Sequence, residues 1–377
     1  MRTGPDRFSS LRRADRRGAR LRLTLLGLAL LALFSVFLSL RSTTIGFVTP
    51  AVTLKNLATA ASLGAAELLK QPLYDKRLSI INASPHYLET MTRLRSALLL
   101  IALGACLSAA GAAVQGAFSN PIATPAMLGI SSGIGFANIY LVLRYSSLAA
   151  SMTGERFLYG YAFALALLGL VLLIGRLMGR QRSSVTDMLL AGAVVTRLVG
   201  QVGSAIQAYW MDETQYLALQ EMNLYGTGIG TVRGAAFLAA ALALGLAPLW
   251  LTRFSYNAVS FDDESARGFG ISAPLLRVIG LVCSVVLVTA ALIHCGDVAL
   301  LALLAPHLAR CMFGADFRSL LPGCILMGAL TMLCCGAITA FFAFDPLLSV
   351  ISIGSIVNLV ATPLLIVMLV RGRRGWE

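Results

Sequence analysis

Few residues of this chain have the type and spacing that a chemical reaction requires. The three histidines, His86, His294 and His307, form no ligand cluster for a metal ion. No Gly-x-x-x-x-Gly-Lys-Ser/Thr phosphate loop occurs, which excludes ATP binding of that kind. The seven cysteines have no Cys-x-x-Cys spacing and lie within or beside apolar runs, which favours buried thiols over a metal site or disulfides. We expect no catalytic centre, metal site or cofactor in this chain.

The composition indicates a membrane protein. Of the 377 residues, 58% are hydrophobic and 12% are charged, whereas soluble domains contain roughly 25% charged residues. Mean hydropathy is +0.81. Windows of about 20 apolar residues, the length that a bilayer requires, can be placed about ten times. The expected spans are residues 23–40, 97–116, 127–147, 157–175, 188–209, 234–252, 278–295, 298–313, 323–343 and 350–370.

The arginines predict how the chain is oriented. Lys and Arg number 30 against 17 Asp and Glu, for a net charge of +13. Basic residues accumulate in cytoplasmic segments of membrane proteins, and here they crowd the region before the first span and the closing sequence RGRRGWE. The first apolar run is longer than a signal-peptide core and has no small-residue cleavage site, so we interpret it as a retained span. An even number of spans then places both termini in the cytoplasm.

These boundaries predict a simple domain organisation. A transmembrane domain of residues 23–370 lies between two basic tails on the cytoplasmic side. A long segment before the second span is expected outside the cell, and a loop near residue 260 inside it. The predicted parts are 1–22, 23–370, 371–377, the extracytoplasmic segment 41–96 and the cytoplasmic loop 253–277.

A polar stripe lies within one of the expected spans. Arg197, Gln201 and Ser204 follow the i, i+4, i+7 spacing of one helix face. Arg197 is about 15 Å from the start of its span, where facing lipid would cost at least about 2.5–3.5 kcal/mol. Two interpretations remain open. Arg197 either lines a substrate path, with Asn358 as a possible partner, and favours anionic cargo, or is tied to backbone carbonyls between helices.

The segment GAAVQGAFSNPIATPAMLGISSG, residues 111–133, is polar and helix-breaking although apolar spans flank it. Each unpaired backbone group in hydrocarbon costs several kcal/mol, so the segment belongs at an interface or against other protein. It resembles the permease subunits of bacterial ABC importers for ferric siderophores, haem and cobalamin. That resemblance implies a position near the cytoplasmic side of a crowded ten-span bundle. The matching residues are Gln115, Gly116, Asn120, Pro121, Ala123, Pro125, Leu128, Gly129, Ser131 and Gly133.

Further motifs of this family follow in order, so the resemblance covers residue 91 to about residue 370. LLAGA at 189–193 is similar to the start of the family's fifth span. Within residues 305–323, His307 leaves open haem ligation or a structural role, and the resemblance favours the structural role because transporters of different substrates share this histidine. The remaining matches are Pro306, His307, Arg310, Asp316, Arg318, Pro322, Gly354 and Pro363.

The resemblance also assigns two docking surfaces. YNAVSFDDESARGFGI, residues 256–271, is similar to the short cytoplasmic helices that contact the ATPase, although a solvated loop is the alternative. On the external face, Arg93 and Arg95 precede the second span and would pair with acidic residues of a binding protein, or simply reach lipid headgroups. The residues expected to dock the ATPase are Asp263, Glu264, Ser265, Ala266, Arg267 and Gly270.

The chain departs from the family pattern at several places, which leaves its substrate open. RLRS at 93–96 lacks the usual proline, and Ala299 and Ala302 replace two glycines. Gly336 takes the place of an aspartate, and VIS at 350–352 replaces Glu-Leu-Pro. We expect a divergent member of the family.

Together these observations predict an all-α polytopic membrane protein, a cobalamin-importer-permease-like bundle of about ten transmembrane helices in the bacterial plasma membrane. The resemblance implies a homodimer, or a dimer with a homologous permease, and two ATP-binding subunits that hold ATP and magnesium. It also implies an extracytoplasmic binding protein and an iron chelate (ferric siderophore or haem) or cobalamin as cargo. No nucleic-acid partner is expected.

The sequence fits two other classes of membrane protein less well. An ion-coupled secondary transporter would place Asp, Glu or His within its spans as a proton relay, whereas Asp297 and Asp345 lie near span ends. A structural or assembly protein is disfavoured by the ordered transporter motifs.

Overall fold

A computed structural model describes residues 5–38, 87–146, 153–178, 185–226, 232–260, 263–342 and 351–372. These ranges form α-helices joined by turns and one 3-10 helix, Pro125–Leu128. The helices are α1 Pro5–Leu38, α2 Tyr87–Ala117, α3 Ile130–Tyr145, α4 Thr153–Met178, α5 Val185–Trp210, α6 Glu213–Tyr225, α7 Val232–Val259, α8 Asp263–Gly268, α9 Ala273–Cys295, α10 Leu301–Phe313, α11 Phe317–Phe342 and α12 Ile353–Gly372.

Each expected span falls on a helix, and the predicted all-α polytopic membrane fold is confirmed. Helices α1, α2, α4, α5, α7, α9 and α11 are long and apolar enough to cross a bilayer. Helices α3 and α10 have 16 and 13 residues, so they rise only about 24 and 20 Å through a hydrocarbon layer of about 30 Å.

Hydrogen bonds between helices define two opposite ends of the bundle. At one, the inner end, Arg277 Nε donates to the Ala117 carbonyl over 3.1 Å. At the other, the outer end, Arg93 Nη1 donates to the Leu38 carbonyl over 3.2 Å. Arg22, in α1, donates to the carbonyl of Met312, at the inner end of α10. Helix α1 therefore runs toward the outer end, and α2 and α10 run toward the inner end. The arginine distribution predicts that the inner end is cytoplasmic.

Helix α2 is central because small residues let its neighbours approach closely. A Cβ on Gly104 would overlap the Gly328 carbonyl of α11, and one on Gly111 would overlap the Ala302 carbonyl of α10. Pro306 has no N–H to donate to that Ala302 carbonyl. Small residues at these positions of α2 thus allow the backbones of α10 and α11 to lie against it.

Two helix boundaries differ from those expected from the sequence, and one helix was not expected. Helix α1 begins at Pro5, so part of the basic N-terminal segment is helical. Helix α2 begins at Tyr87, which places Arg93 and Arg95 within it rather than before it. Helix α6 was not expected at all, although it has a capping box in which Asp212 accepts from the Gln215 N–H and the Gln215 side chain accepts from the Asp212 N–H.

Candidate functional sites

The polar segment after α2 satisfies its backbone through tight turns. The Asn120 N–H donates to the Gln115 carbonyl over 3.0 Å, and the Asn120 side chain accepts from the Ile122 N–H over 3.0 Å. Thr124 caps the 3-10 helix, and Gly129 ends it with φ of 81°, a conformation that glycine adopts without strain. Several backbone groups of the break are therefore paired within the segment itself.

Gln115 and Gly116 join this break to the inner ends of three other helices. Arg310 Nη2 donates to Gln115 Oε1 over 3.0 Å, while Gln115 Nε2 and Arg310 Nε have no hydrogen-bond partner among the described residues. A Cβ on Gly116 would lie 2.6 Å from the ring of Phe317, which stacks on Tyr256 with centroids 4.8 Å apart. The motif residues thus form a tightly packed junction.

His307 bonds within its own helix. Its Nδ1 lies 2.9 Å from the Leu303 carbonyl, and because a carbonyl only accepts, Nδ1 carries the proton. This contact fits the structural role favoured at the sequence level. The described residues contain no group of three or more His, Cys, Asp or Glu side chains that could hold a metal ion.

The expected ATPase-docking segment forms the short helix α8 and a tight turn. Ala266 is buried, and its carbonyl accepts from the Ile271 N–H over 2.9 Å. Gly270 has φ of 72°, so a side chain there would be strained even though space is open around it. Glu264, Arg267 and Phe269 are exposed, with Phe269 at 76%. Asp263 and Ser265 belong to the same helix.

Asn257 ties the helix before α8 to α11. Its Nδ2 donates to Asp316 Oδ1 over 2.7 Å, and its Oδ1 accepts from the Phe317 N–H over 2.8 Å. The same Asp316 oxygen accepts from the Arg318 N–H over 3.0 Å. These bonds fix the C-terminal part of α7 to the start of α11.

The polar stripe lies on the exposed side of α5 in this single chain. Arg197, Gln201 and Ser204 are all exposed on α5, and Ser204 Oγ donates to the Gly200 carbonyl over 3.0 Å. The Arg197 guanidinium has no hydrogen-bond or ion-pair partner among the described residues. Asn358 is half-buried on α12, and no hydrogen bond joins it to Arg197 in the described part of the chain. Helix α5 packs on α3 and α4, and α12 on α10 and α11, so the two residues are not brought together within one chain.

The two arginines expected to dock a binding protein are placed differently from each other. Arg93 is half-buried and donates to the end of α1. Arg95 is exposed and borders a cavity of about 570 Å³ whose walls include His294, Cys295 and Gly336. Their docking role remains a prediction.

Sequence reasoning missed a chain of polar residues near the outer end. Arg156 and Asn138 are 1% and 5% exposed, and Asn223 lies beside them on α6. Asn138 lies within an expected span, and Arg156 directly precedes another. Polar residues at such positions are rare and indicate functional sites, so this signal could have identified them.

The fold and these sites define an all-α membrane protein with a short, exposed helix, α8, at its inner end and buried polar side chains at both ends. A sequence profile described as the FecCD transport family matches residues 31–371. The chain belongs to the FecCD transport family. The match begins well before residue 91, where the recognisable motifs start.

Two relatives and one solved structure illustrate the similarity. The chain is 30% identical over 241 residues to the probable iron chelatin transport system permease protein of Helicobacter pylori, covering 64% of this chain and 71% of the relative. It is 28% identical over 325 residues to the iron(3+)-hydroxamate import system permease protein FhuB of Bacillus subtilis, covering 83% and 79%. A structure titled as an inward-facing conformation of a putative metal-chelate type ABC transporter matches with a TM-score of 0.72 at 20% identity, covering 93% of this chain and 99% of that one. That likeness concerns the fold.

Proposed function

We propose that this chain is the transmembrane permease subunit of a binding-protein-dependent ABC importer for an iron chelate, such as a ferric siderophore or haem, or for cobalamin. The observation that carries the proposal is the family match across residues 31–371. Relatives named for iron chelatin and iron(3+)-hydroxamate transport support the cargo class. Family membership favours this function over an ion-coupled secondary transporter.

The assembly that we propose contains two copies of the chain, two ATP-binding subunits and an extracytoplasmic binding protein. It lies in the bacterial plasma membrane with both termini in the cytoplasm. The ATP-binding subunits hold ATP and magnesium, and this chain contributes no catalytic group. The exposed stripe on α5 supports a second copy, because a mid-helix arginine cannot face lipid without a large cost.

Coupling would run through α8. ATP binding in the partner moves α8, and the link from Asn257 to Asp316 carries that motion to α11. The cargo path opens to the opposite side when the two conformations contact the partner differently.

Reconstitution with the ATPase and binding protein encoded beside this chain tests the proposal. We expect proteoliposomes to take up one class among ferric hydroxamates, haem and cobalamin, and to require both ATP and the binding protein. Uptake driven by an ion gradient without ATP would contradict the proposal.

A second measurement tests the docking role of α8. Arg267→Glu together with Gly270→Val should abolish transport while the protein still inserts, because a valine is strained at φ of 72° and the charge is reversed. Gly268→Ala is the matched control, since open space surrounds Gly268 and its conformation is helical. Normal transport by the double variant would remove α8 from the coupling mechanism.

A substitution at Arg197 tests whether this residue lines a cargo path between the two copies of the chain. Arg197→Gln retains hydrogen-bonding capacity and removes the charge, so uptake of anionic chelates should fall by about tenfold relative to neutral ones, as loss of one charged hydrogen bond implies. An equal loss for both classes would leave Arg197 with a structural role only.

A further inference from the structure

A polar cavity of about 330 Å³ lies between α3, α6 and the turn from α9 to α10. Its walls include Ser131, Asn138, Asn223 and Asp297. One water molecule occupies about 30 Å³ of liquid, so the cavity has room for a small ligand. It also lies within the bundle, because Asn138, Met222 and Leu292 on its walls are buried. Irregular backbone at such depth is tolerated where protein covers it or where it lines a water-filled space.

Behind one wall of this cavity lies the buried side chain of Arg156. It is 1% exposed, and its Nη2 donates to Asn138 Oδ1 over 3.5 Å, a long hydrogen bond. Its Nε and Nη1 have no partner, and no carboxylate pairs with it, among the described residues. A buried charge without compensation costs several kcal/mol, and an unsatisfied buried donor requires an explanation such as a ligand.

The arginine fixes the direction of two side-chain amides. A guanidinium only donates, so Asn138 must turn its oxygen toward Arg156 and its NH2 group toward the next acceptor. That acceptor is Asn223 Oδ1, 2.9 Å away. The NH2 group of Asn223 is therefore left over as a donor, and Asn223 lines the cavity.

Asn138 and Asn223 therefore form a row of hydrogen-bond donors that leads from Arg156 to the cavity, and the positive charge of Arg156 polarises these bonds. Ser131 Oγ is buried on the same cavity wall and has no partner among the described residues. Asp297, the one carboxylate among the cavity-lining residues, is exposed at its rim and accepts from the Ala299 N–H over 3.3 Å.

We propose that this cavity is an oxyanion-binding site, suited to a carboxylate or a sulfate-like group. The anion accepts hydrogen bonds from Asn223 and Ser131, and Arg156 supplies the charge through Asn138. Asp297 at the rim opposes the anion electrostatically and limits its affinity. The site exists within one chain and does not depend on the proposed transport function.

Direct binding measurements on the full-length protein in nanodiscs, without an ATPase, test this site. Isothermal titration with malonate and with sulfate, at constant ionic strength in chloride, should show saturable binding of one anion per chain. Arg156→Gln should weaken binding by at least about tenfold, as expected for loss of one charged interaction. Asp297→Asn should strengthen it, because the opposing charge is removed while the acceptor for Ala299 is retained.

Two further variants separate the site from general charge effects. Arg144→Gln makes the same charge change at an exposed position of α3, and binding should be unchanged. Asn223→Asp is isosteric and still accepts from Asn138, but it places a negative charge at the cavity wall and should abolish binding. This variant keeps the proposal testable if Arg156→Gln does not fold.

The pattern of results decides the proposal and the ligand class. Binding of malonate alone assigns the site to a carboxylate group carried by a larger molecule, whereas binding of both anions assigns it to free oxyanions as well. The proposal is overturned if neither anion binds saturably. It is also overturned if Arg156→Gln and wild type bind equally, or if Arg144→Gln weakens binding as much as Arg156→Gln.

Discussion

Two arginine–amide pairs lie at opposite ends of this bundle and differ in what surrounds them. At the inner end, Arg310 donates to Gln115 over 3.0 Å, and the amide nitrogen of Gln115 is left without a partner among the described residues. At the outer end, Arg156 donates to Asn138, whose nitrogen continues to Asn223 and so to a cavity wall.

The inner pair therefore belongs to a packed junction between helices, and the outer pair belongs to a candidate binding site. Next to Gln115 of the inner pair, a Cβ on Gly116 would overlap the rings of Phe317 and Tyr256, so the packing beside this pair is closed. The outer chain of amides ends in a cavity of about 330 Å³. At the inner end the arginine–amide pair thus joins packed helices, whereas at the outer end the amides extend from the buried Arg156 to a cavity.

Glycine substitutions give the largest expected contrast between the two regions. A Cβ at Gly111 would overlap the Ala302 backbone, whereas one at Gly135, on the cavity wall, would meet nothing within 4 Å. Gly111→Ala should destabilise the protein by about 1–3 kcal/mol or more. Gly135→Ala should stabilise it by up to about 1 kcal/mol through helix propensity. Thermal unfolding of the purified protein in detergent measures the stability of both variants. If the two unfolding midpoints shift in the same direction and by the same amount, the two regions do not differ in packing.

Replacing each arginine by methionine tests the two pairs directly. Arg310→Met leaves the buried Gln115 amide without its partner and should cost about 1–3 kcal/mol. Arg156→Met removes an uncompensated buried charge, so stability should be unchanged or increased by roughly 1–4 kcal/mol. Thermal unfolding midpoints of the two variants make the comparison. If Arg156→Met is as damaging as Arg310→Met, the outer arginine is a structural residue.

The sequence predicted most of the fold because bilayer chemistry is restrictive. Ten apolar runs sufficed to locate the long helices, and Asn120, Pro121 and Gly129 revealed the break after α2. It failed at α6, whose apolar content is low and whose signal, Asp212 followed by Gln215, is local and short.

The candidate sites were less predictable for a different reason. Arg197, Gln201 and Ser204 lie on one helix, so their spacing alone predicts that they share a face. Arg156, Asn138 and Asn223 come from three helices, and only tertiary packing brings them together. Partners contributed by a second chain, such as any that Arg197 contacts across a dimer, lie beyond what one sequence encodes locally.

The smallest expected effect concerns the N-terminal cap of α6 at the outer end, where exposed hydrogen bonds add to the packing of Leu219 and Met222. Asp212 accepts from the Gln215 N–H and from Thr214 Oγ1, both over 2.7 Å. These bonds, the backbone one first, lower the pKa of Asp212 below its ordinary value of 3.8. Because the folded pKa is depressed, this stabilisation is complete above pH 3.8 and is lost as the pH falls through the lower folded value.

Hydrogen exchange of the α6 amides measures the loss of this cap. After correction for intrinsic exchange rates, the protection of amides in the first turn of α6 should decrease by a small amount in the wild type when the pH falls below 3.8. Asp212→Asn supplies an equally good cap that does not titrate, so its protection should stay constant over the same range. Inner-end amides of α11 serve as the internal reference. Equal acid sensitivity in the wild type and Asp212→Asn would mean that titrating groups other than Asp212 control the acid response of α6.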